Sequence, residues 1–129
     1  MGRGRAPEPR GADVGQAADA WDRIVAVLTT GDVKDVLDLY GANALYLEPY
    51  NPPHRGNLLI QSYLKDWFGG KEDVAVDELA RVESTDGTTV GVEWTISYTA
   101  AGRRWKALPR ASFVRLGDEG LVAYHRDYT

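Results

Sequence analysis

The chain has 129 residues, 43% of them hydrophobic and 26% charged, which is the size and make-up of one globular unit and excludes a two-domain enzyme. It has no cysteine and only two histidines, His54 and His125, so disulfides, thiol nucleophiles, thiolate metal sites and histidine-rich metal cages are excluded together. The net charge of −4 is unevenly spread: Arg3, Arg5 and Arg10 face only Glu8 in the first eleven residues, and the acidic remainder does not suit a phosphate backbone.

Residues 1 to 15 read as a disordered, basic Gly/Pro/Arg tail, and residues 16 to 129 as the folded domain. The arginines are not followed by an apolar stretch of signal-peptide type, and no run is long enough to span a bilayer. The expectation is a cytoplasmic protein without nucleic-acid or membrane partners. Ala17, Trp21, Ile24, Val25 and Leu28 fall at helical spacing, and Thr29-Thr30-Gly31 ends that helix. Asp32 is a candidate N-cap for a short second helix with Val33, Val36, Leu37 and Tyr40 on its apolar face, closed by Gly41.

Ala42 to Tyr50 alternates as a strand, with Ala44, Tyr46 and Glu48 on one face and Leu45 and Leu47 on the other. Asn51-Pro52-Pro53 breaks it. A third helix carries Leu59, Ile60, Tyr63, Leu64 and Trp67 and stops at Gly69-Gly70. The rest reads as strands over Val74 to Glu83, Thr88 to Thr99, Arg104 to Leu116 and Leu121 to Thr129, separated by Asp86-Gly87, Ala101-Gly102 and Gly117 to Gly120. Helices followed by hairpin-linked strands are an α+β pattern, in which a curved, largely antiparallel sheet wraps around the N-terminal helices and leaves a pocket at the mouth of the cup.

The order of elements and several local motifs carry a resemblance to a family. These are Thr30-Gly31-Asp32, Leu39-Tyr40, Ala44-Leu45-Tyr46-Leu47-Glu48-Pro49, Pro52-Pro53-His54-Arg55-Gly56 and Tyr124-His125-Arg126-Asp127-Tyr128. Over about residues 17 to 129 the chain resembles the NTF2-like (SnoaL-like) cone-fold proteins, which include ketosteroid isomerases, polyketide cyclases and limonene-epoxide hydrolases. The resemblance implies the cone fold and a homodimer formed through the sheet face. Compared with ketosteroid isomerases, it puts Glu48, before Pro49, at the general base. It finds Ile24 where the tyrosine that donates to the enolate would be, and Pro109 near the place of the protonated aspartic acid. Compared with limonene-epoxide hydrolases, Tyr46 falls on a water-binding tyrosine, Glu48 replaces a water-binding asparagine and Asp127 falls on a catalytic aspartate. Glu93 stands in for the second aspartate, and Gly91 occupies the place of the arginine two residues earlier.

Glu48, Asp127 and Tyr46 are therefore the candidate catalytic residues: two acids for proton transfer and a tyrosine to orient a substrate oxygen or a water. Tyr50, His54, Trp94, Trp105 and Glu93 are candidate substrate-binding residues. His54 belongs to a loop at the pocket mouth, where it is either a proton shuttle or an exposed residue. Trp94 and Trp105, on adjacent strands, are either pocket wall or dimer face, whereas Trp21 and Trp67 read as helix packing. His125 is assigned to the outer sheet surface, opposite Asp127, whose partner across the sheet would be Arg115 or His54. Asp32, Asp35 and Asp38 read as a solvated face, and no metal or cofactor is expected. Glycine frameworks for dinucleotides or phosphates and a Gly-x-Ser-x-Gly elbow are missing from the sequence. Two functions remain open: a cofactor-independent isomerase, cyclase or hydratase acting on a hydrophobic, oxygenated small molecule, or a non-catalytic binding or assembly module.

Overall fold

The computed structural model describes residues 16–129, so the expected basic tail over residues 1 to 15 lies outside the described residues. The first helix, α1 (Gln16–Thr30), buries Ala17, Ala20, Trp21, Ile24, Val27 and Leu28 along one stripe, with Val25 only half-buried at its edge. It runs two residues past the expected end because the hydroxyls of Thr29 and Thr30 bond back to the carbonyls of Val25 and Ala26. Gly31, at φ 76°, then reverses the chain. The Asp32 carboxylate accepts from the Lys34 amide and starts a single 3₁₀ turn (Val33–Asp35) that runs into α2 (Val36–Leu39).

Tyr40 and Gly41, expected to close that helix, instead open the first strand, β1 (Tyr40–Leu47), which ends three residues earlier than the alternation suggested. Glu48 therefore stands just beyond the strand. His54 and Arg55, expected in a loop, form a short strand β2 (His54–Arg55) that pairs antiparallel with β1. Gly56 enters α3 (Asn57–Phe68) at φ 91°, donating its amide to the Ala44 carbonyl, and a Cβ there would stand 2.9 Å from the Ala42 oxygen. Helix α3 buries Ile60 and Leu64. Leu59, expected on the apolar face, is one position out of phase and points to solvent.

Four strands follow: β3 (Lys71–Glu83), β4 (Thr89–Ala100), β5 (Arg103–Leu116) and β6 (Val122–Tyr128). The sheet order is β2-β1-β6-β5-β4-β3, and every neighbouring pair is antiparallel except β1 with β6, which run parallel. Register shifts after Glu72, Glu78, Ile96 and Arg115 mark bulges, which bend and twist the strands and curl the sheet around the helices. The concave face contributes Val90, Val92, Trp94, Ile96 and Val114 to one core shared with Trp21, Ile24, Val36 and Ile60. This is the expected α+β cone, left open at one end. Among the described residues no helix is long and apolar enough to cross a membrane.

Candidate functional site

The open end of the cone holds a cavity of about 260 Å³. Its floor is apolar, built from Trp21, Ile24 and Leu28 of α1, Leu39 of α2, Leu64 of α3 and Trp94 and Ile96 of β4. Its polar wall gathers Tyr46, Glu48, Asn51, Tyr63, Arg110, His125 and Asp127. Among the described residues no group of three or more His, Asp or Glu side chains is arranged to hold a metal ion.

The register of four strands explains the centre of this wall. Ser112 of β5 lies opposite Asp127 of β6, and Tyr46 of β1 lies opposite His125, so their side chains meet on the concave face. Asp127 Oδ1 accepts from the Ser112 hydroxyl at 2.6 Å and from His125 Nε2 at 2.7 Å. Its Oδ2 accepts from the Tyr46 hydroxyl at 2.5 Å. Ser112 in turn accepts from the Trp94 indole N–H at 2.9 Å, so a directed chain of hydrogen bonds crosses β4, β5, β6 and β1. A carboxylate only accepts, so Nε2 of His125 carries a hydrogen; in the neutral ring Nδ1 then accepts from the Tyr40 hydroxyl, 2.7 Å away.

The electrostatics follow from these contacts. Burial would push the Asp127 carboxyl up, but the positive charge that His125 carries when protonated, with the hydrogen bonds from His125, Ser112 and Tyr46, outweighs it and holds the group below the ordinary carboxylate range. Burial, reinforced by the Asp127 charge, drives the hydroxyls of Tyr40 and Tyr46 well above the usual phenol range, so both remain donors. Tyr63 is likewise raised, first by burial and then by the neighbouring Glu48 carboxylate. Counting partners, Oδ1 of Asp127 is filled by two donors, whereas Oδ2 has one and keeps a lone pair for a ligand or a water.

Of the expected site residues, the structure brings Glu48, Asp127, Tyr46, Trp94 and Tyr50 to the cavity. Glu48 accepts from the Asn51 amide, and Tyr50 stands at the rim with 84% of its surface exposed. Tyr46 spends its only hydrogen on Asp127, so toward a ligand its oxygen is an acceptor. Trp94 forms floor, its indole N–H already committed to Ser112.

Three of the expected residues are not there. Glu93 points to the convex side, because the residues of β4 that face the helices are Val92, Trp94 and Ile96. Trp105 sits near the tip of the β4–β5 hairpin, under the Arg103 guanidinium and 37% exposed, away from the cavity. His54 is drawn behind the wall by its pairing with Tyr46 and stacks on Tyr63 with ring centroids 4.2 Å apart, its Nε2 buried and, among the described residues, without a partner. Arg115, considered as a partner for Asp127, lies over Tyr124 instead. The assignment of His125 to the outer surface is overturned: residues two apart on a strand share a face, and His125 is 3% exposed beside Asp127.

Sequence reasoning passed over Arg110, Ser112, Tyr63 and Asn51 as site residues. For Ser112 a signal existed, since counting back through the Gly117 to Gly120 turn pairs β5 with β6 and brings position 112 opposite 127.

Comparison with solved structures finds the same fold at low sequence identity. A candidate polyketide cyclase from Xanthomonas campestris pv. campestris superposes with a TM-score of 0.77 at 17% identity, covering 88% of this chain and 90% of that one. An LEH-like epoxide hydrolase from M. tuberculosis gives 0.74 at 19% identity, covering 89% and 79%. A steroid delta-isomerase from Pseudomonas aeruginosa gives 0.64 at 20% identity, covering 88% and 78%. No curated protein matches the sequence. The model of the SnoaL-like domain family matches residues 21–125, most of the chain, and the protein belongs to that family.

Proposed function

We propose that the protein is a cofactor-independent acid/base enzyme that binds a small hydrophobic, oxygenated molecule in the cone and moves protons on it, in an isomerisation, a cyclisation or the addition of water. One observation carries the reading. Asp127, a mostly buried carboxylate at the wall of an apolar cavity, is fixed by three donors and left with one open lone pair, and a second acid, Glu48, lines the same cavity. An anion held in this way is pre-oriented toward a substrate C–H or a water without reorganisation at the moment of reaction.

In this mechanism Asp127 orients the reacting proton or water and balances positive charge that develops beside it. Glu48, at the rim and held by Asn51 and the Tyr63 hydroxyl, exchanges protons with the substrate and with solvent. Tyr46, Ser112 and His125 act through Asp127 by holding its plane. The cavity is smaller than the ~300–1,000 Å³ typical of sites for drug-sized ligands, which favours a substrate of one or two rings. We further propose a cytoplasmic homodimer joined through the convex sheet face, where Phe113 and Tyr124 pack edge to face and Tyr128 lies under Arg126.

The test is α-proton exchange of small cyclic ketones, and opening of cyclohexene oxide, in deuterated and ¹⁸O-labelled water. The expected outcome is acceleration by the wild type and a fall of about 10² or more in both Asp127→Asn and Glu48→Gln. Probes that bind in the cavity with no exchange and no opening would leave a non-catalytic binding module. Full activity in Glu48→Gln would remove that residue from the mechanism.

A further inference from the structure

Among the polar groups of the cavity that this chemistry does not use, the one that carries a charge is the guanidinium of Arg110. Arg110 lies opposite Trp94 in the β4–β5 ladder, so the register turns both side chains to the concave face, and Arg110 is half-buried there. Its hydrogen bond is to the carbonyl of its own neighbour Pro109, at 2.8 Å, and among the described residues it forms no ion pair. Its charge is felt by Tyr63 on α3, whose hydroxyl it pulls down against the larger upward effects of burial and Glu48.

A half-buried guanidinium without an anion has lost solvent and gained little in return, and a ligand that brings an anion restores the balance. The planar fork of arginine suits the two oxygens of a carboxylate, and with Nη1 turned to Pro109 the remaining N–H groups are available. The two acids of the cavity do not compete for this cation. Neither forms an ion pair with it: the hydrogen bonds of Asp127 come from Tyr46, Ser112 and His125, and those of Glu48 from Asn51 and Tyr63.

We propose that Arg110 anchors a carboxylate carried by the ligand, so that the cavity takes a small apolar acid, its hydrocarbon body on Trp21, Ile24, Leu28 and Trp94 and its charge at Arg110. The inference deepens, and rests on, the reading of this cavity as the ligand site of an acid/base enzyme.

The experiment is calorimetric titration of the full chain at low salt with three probes of one shape: cyclohexanecarboxylate, cyclohexanecarboxamide and cyclohexylmethylamine. The carboxylate should bind at least about tenfold more tightly than the carboxamide, as expected for a charge-assisted contact. Arg110→Met should abolish that preference and Arg110→Lys should retain part of it. If Arg110→Met does not fold, the wild-type preference together with a shift of the Arg110 side-chain Nε–H resonance on adding the carboxylate decides the matter. Equal binding of acid and amide, tighter binding of the amine, or failure of cyclohexanecarboxylate, benzoate and phenylacetate all to bind at millimolar concentration would overturn the proposal. Because the titration needs no turnover, it separates from the acid/base reading: the carboxylate preference should survive in Asp127→Asn, where proton exchange is lost.

Discussion

His125 and Asp127, two residues apart on β6, meet at 2.7 Å on the concave face, and their contact converts an ordinary strand position into the hub of a network that reaches Tyr40, Tyr46, Ser112 and Trp94. The carboxylate is the only member that accepts from three sides, so the network stands or falls with its charge.

The first prediction concerns acid stability. The Asp127 carboxyl is lower in the folded protein than in the unfolded chain, where its ordinary value is about 3.9. Its stabilising contribution is therefore complete above that value and is lost as the pH falls through the lower, folded one. Urea midpoints of the wild type should drop through this acid window. Asp127→Asn should start lower at neutral pH and show a flatter acid limb; parallel curves would show that the carboxylate is not under native-state stabilisation.

Tyr46→Phe keeps the ring, which stacks on His125 at 4.4 Å between centroids, and removes only the donor to Oδ2. The loss of a hydrogen bond to a charged acceptor should cost about 1.5–3 kcal/mol, toward the lower end if water from the cavity replaces it. The Asp127 carboxyl should titrate at higher pH in the variant, as read by ¹³C NMR. An unchanged titration would mean that the phenol does not hold the anion.

Tyr40→Phe tests the imidazole. With Nε2–H directed at Asp127, Nδ1 depends on the Tyr40 hydroxyl, and both groups are buried. Imidazole ¹⁵N shifts should report the Nε2–H form in the wild type, and the variant should lose about 1–3 kcal/mol by stranding a buried acceptor. A wild-type spectrum with the proton on Nδ1 would reverse the direction assigned to the relay.

Two neighbours on α3 should respond in opposite ways. Ile60 is fully buried, so Ile60→Ala should cost about 2–5 kcal/mol, whereas Leu59→Ala, at a position 60% exposed, should stay within about 0.5 kcal/mol. Equal effects would place the apolar stripe of this helix on the wrong residues.

Gly56→Ala brings a Cβ to 2.9 Å from the Ala42 carbonyl oxygen at a backbone φ of 91°, where side chains are strained. A cost of more than about 1–3 kcal/mol is expected, with the β1–β2 pairing loosened. Thermal melts and amide exchange of Gly56, whose N–H is bound to Ala44, measure both.

The fold was largely legible in the sequence because its signals are local: helical spacing in Ala17 to Leu28, alternation from Ala44 to Leu47, and glycine turns between the long strands. The boundaries that slipped are those where tertiary pairing overrides local signals. Tyr40 and Gly41 look like a helix end yet are recruited into β1 beside β6, and His54 looks like loop yet pairs with Tyr46. The cavity was only partly legible for the same reason. Ser112 and Arg110 acquire meaning from cross-strand register, which depends on bulges such as the one after Ile96 that shift the β4–β5 pairing. The family resemblance puts Glu93 at the pocket, but the alternation that sets Val92, Trp94 and Ile96 on the core side turns it outward.

The parallel seam between β1 and β6 has a kinetic meaning. The hairpins from β3 to β6 close between chain neighbours, but Tyr46 must find Asp127 across 81 positions, and no turn assists it. Contacts of such long range form late, after shorter loops have been closed. Synthesis runs from the N-terminus, so β1 emerges well before its partner strand and waits, its β6-facing edge unpaired, until β6 follows. The hydrogen-bonded wall of the cavity is thus complete only when β6 docks beside β1.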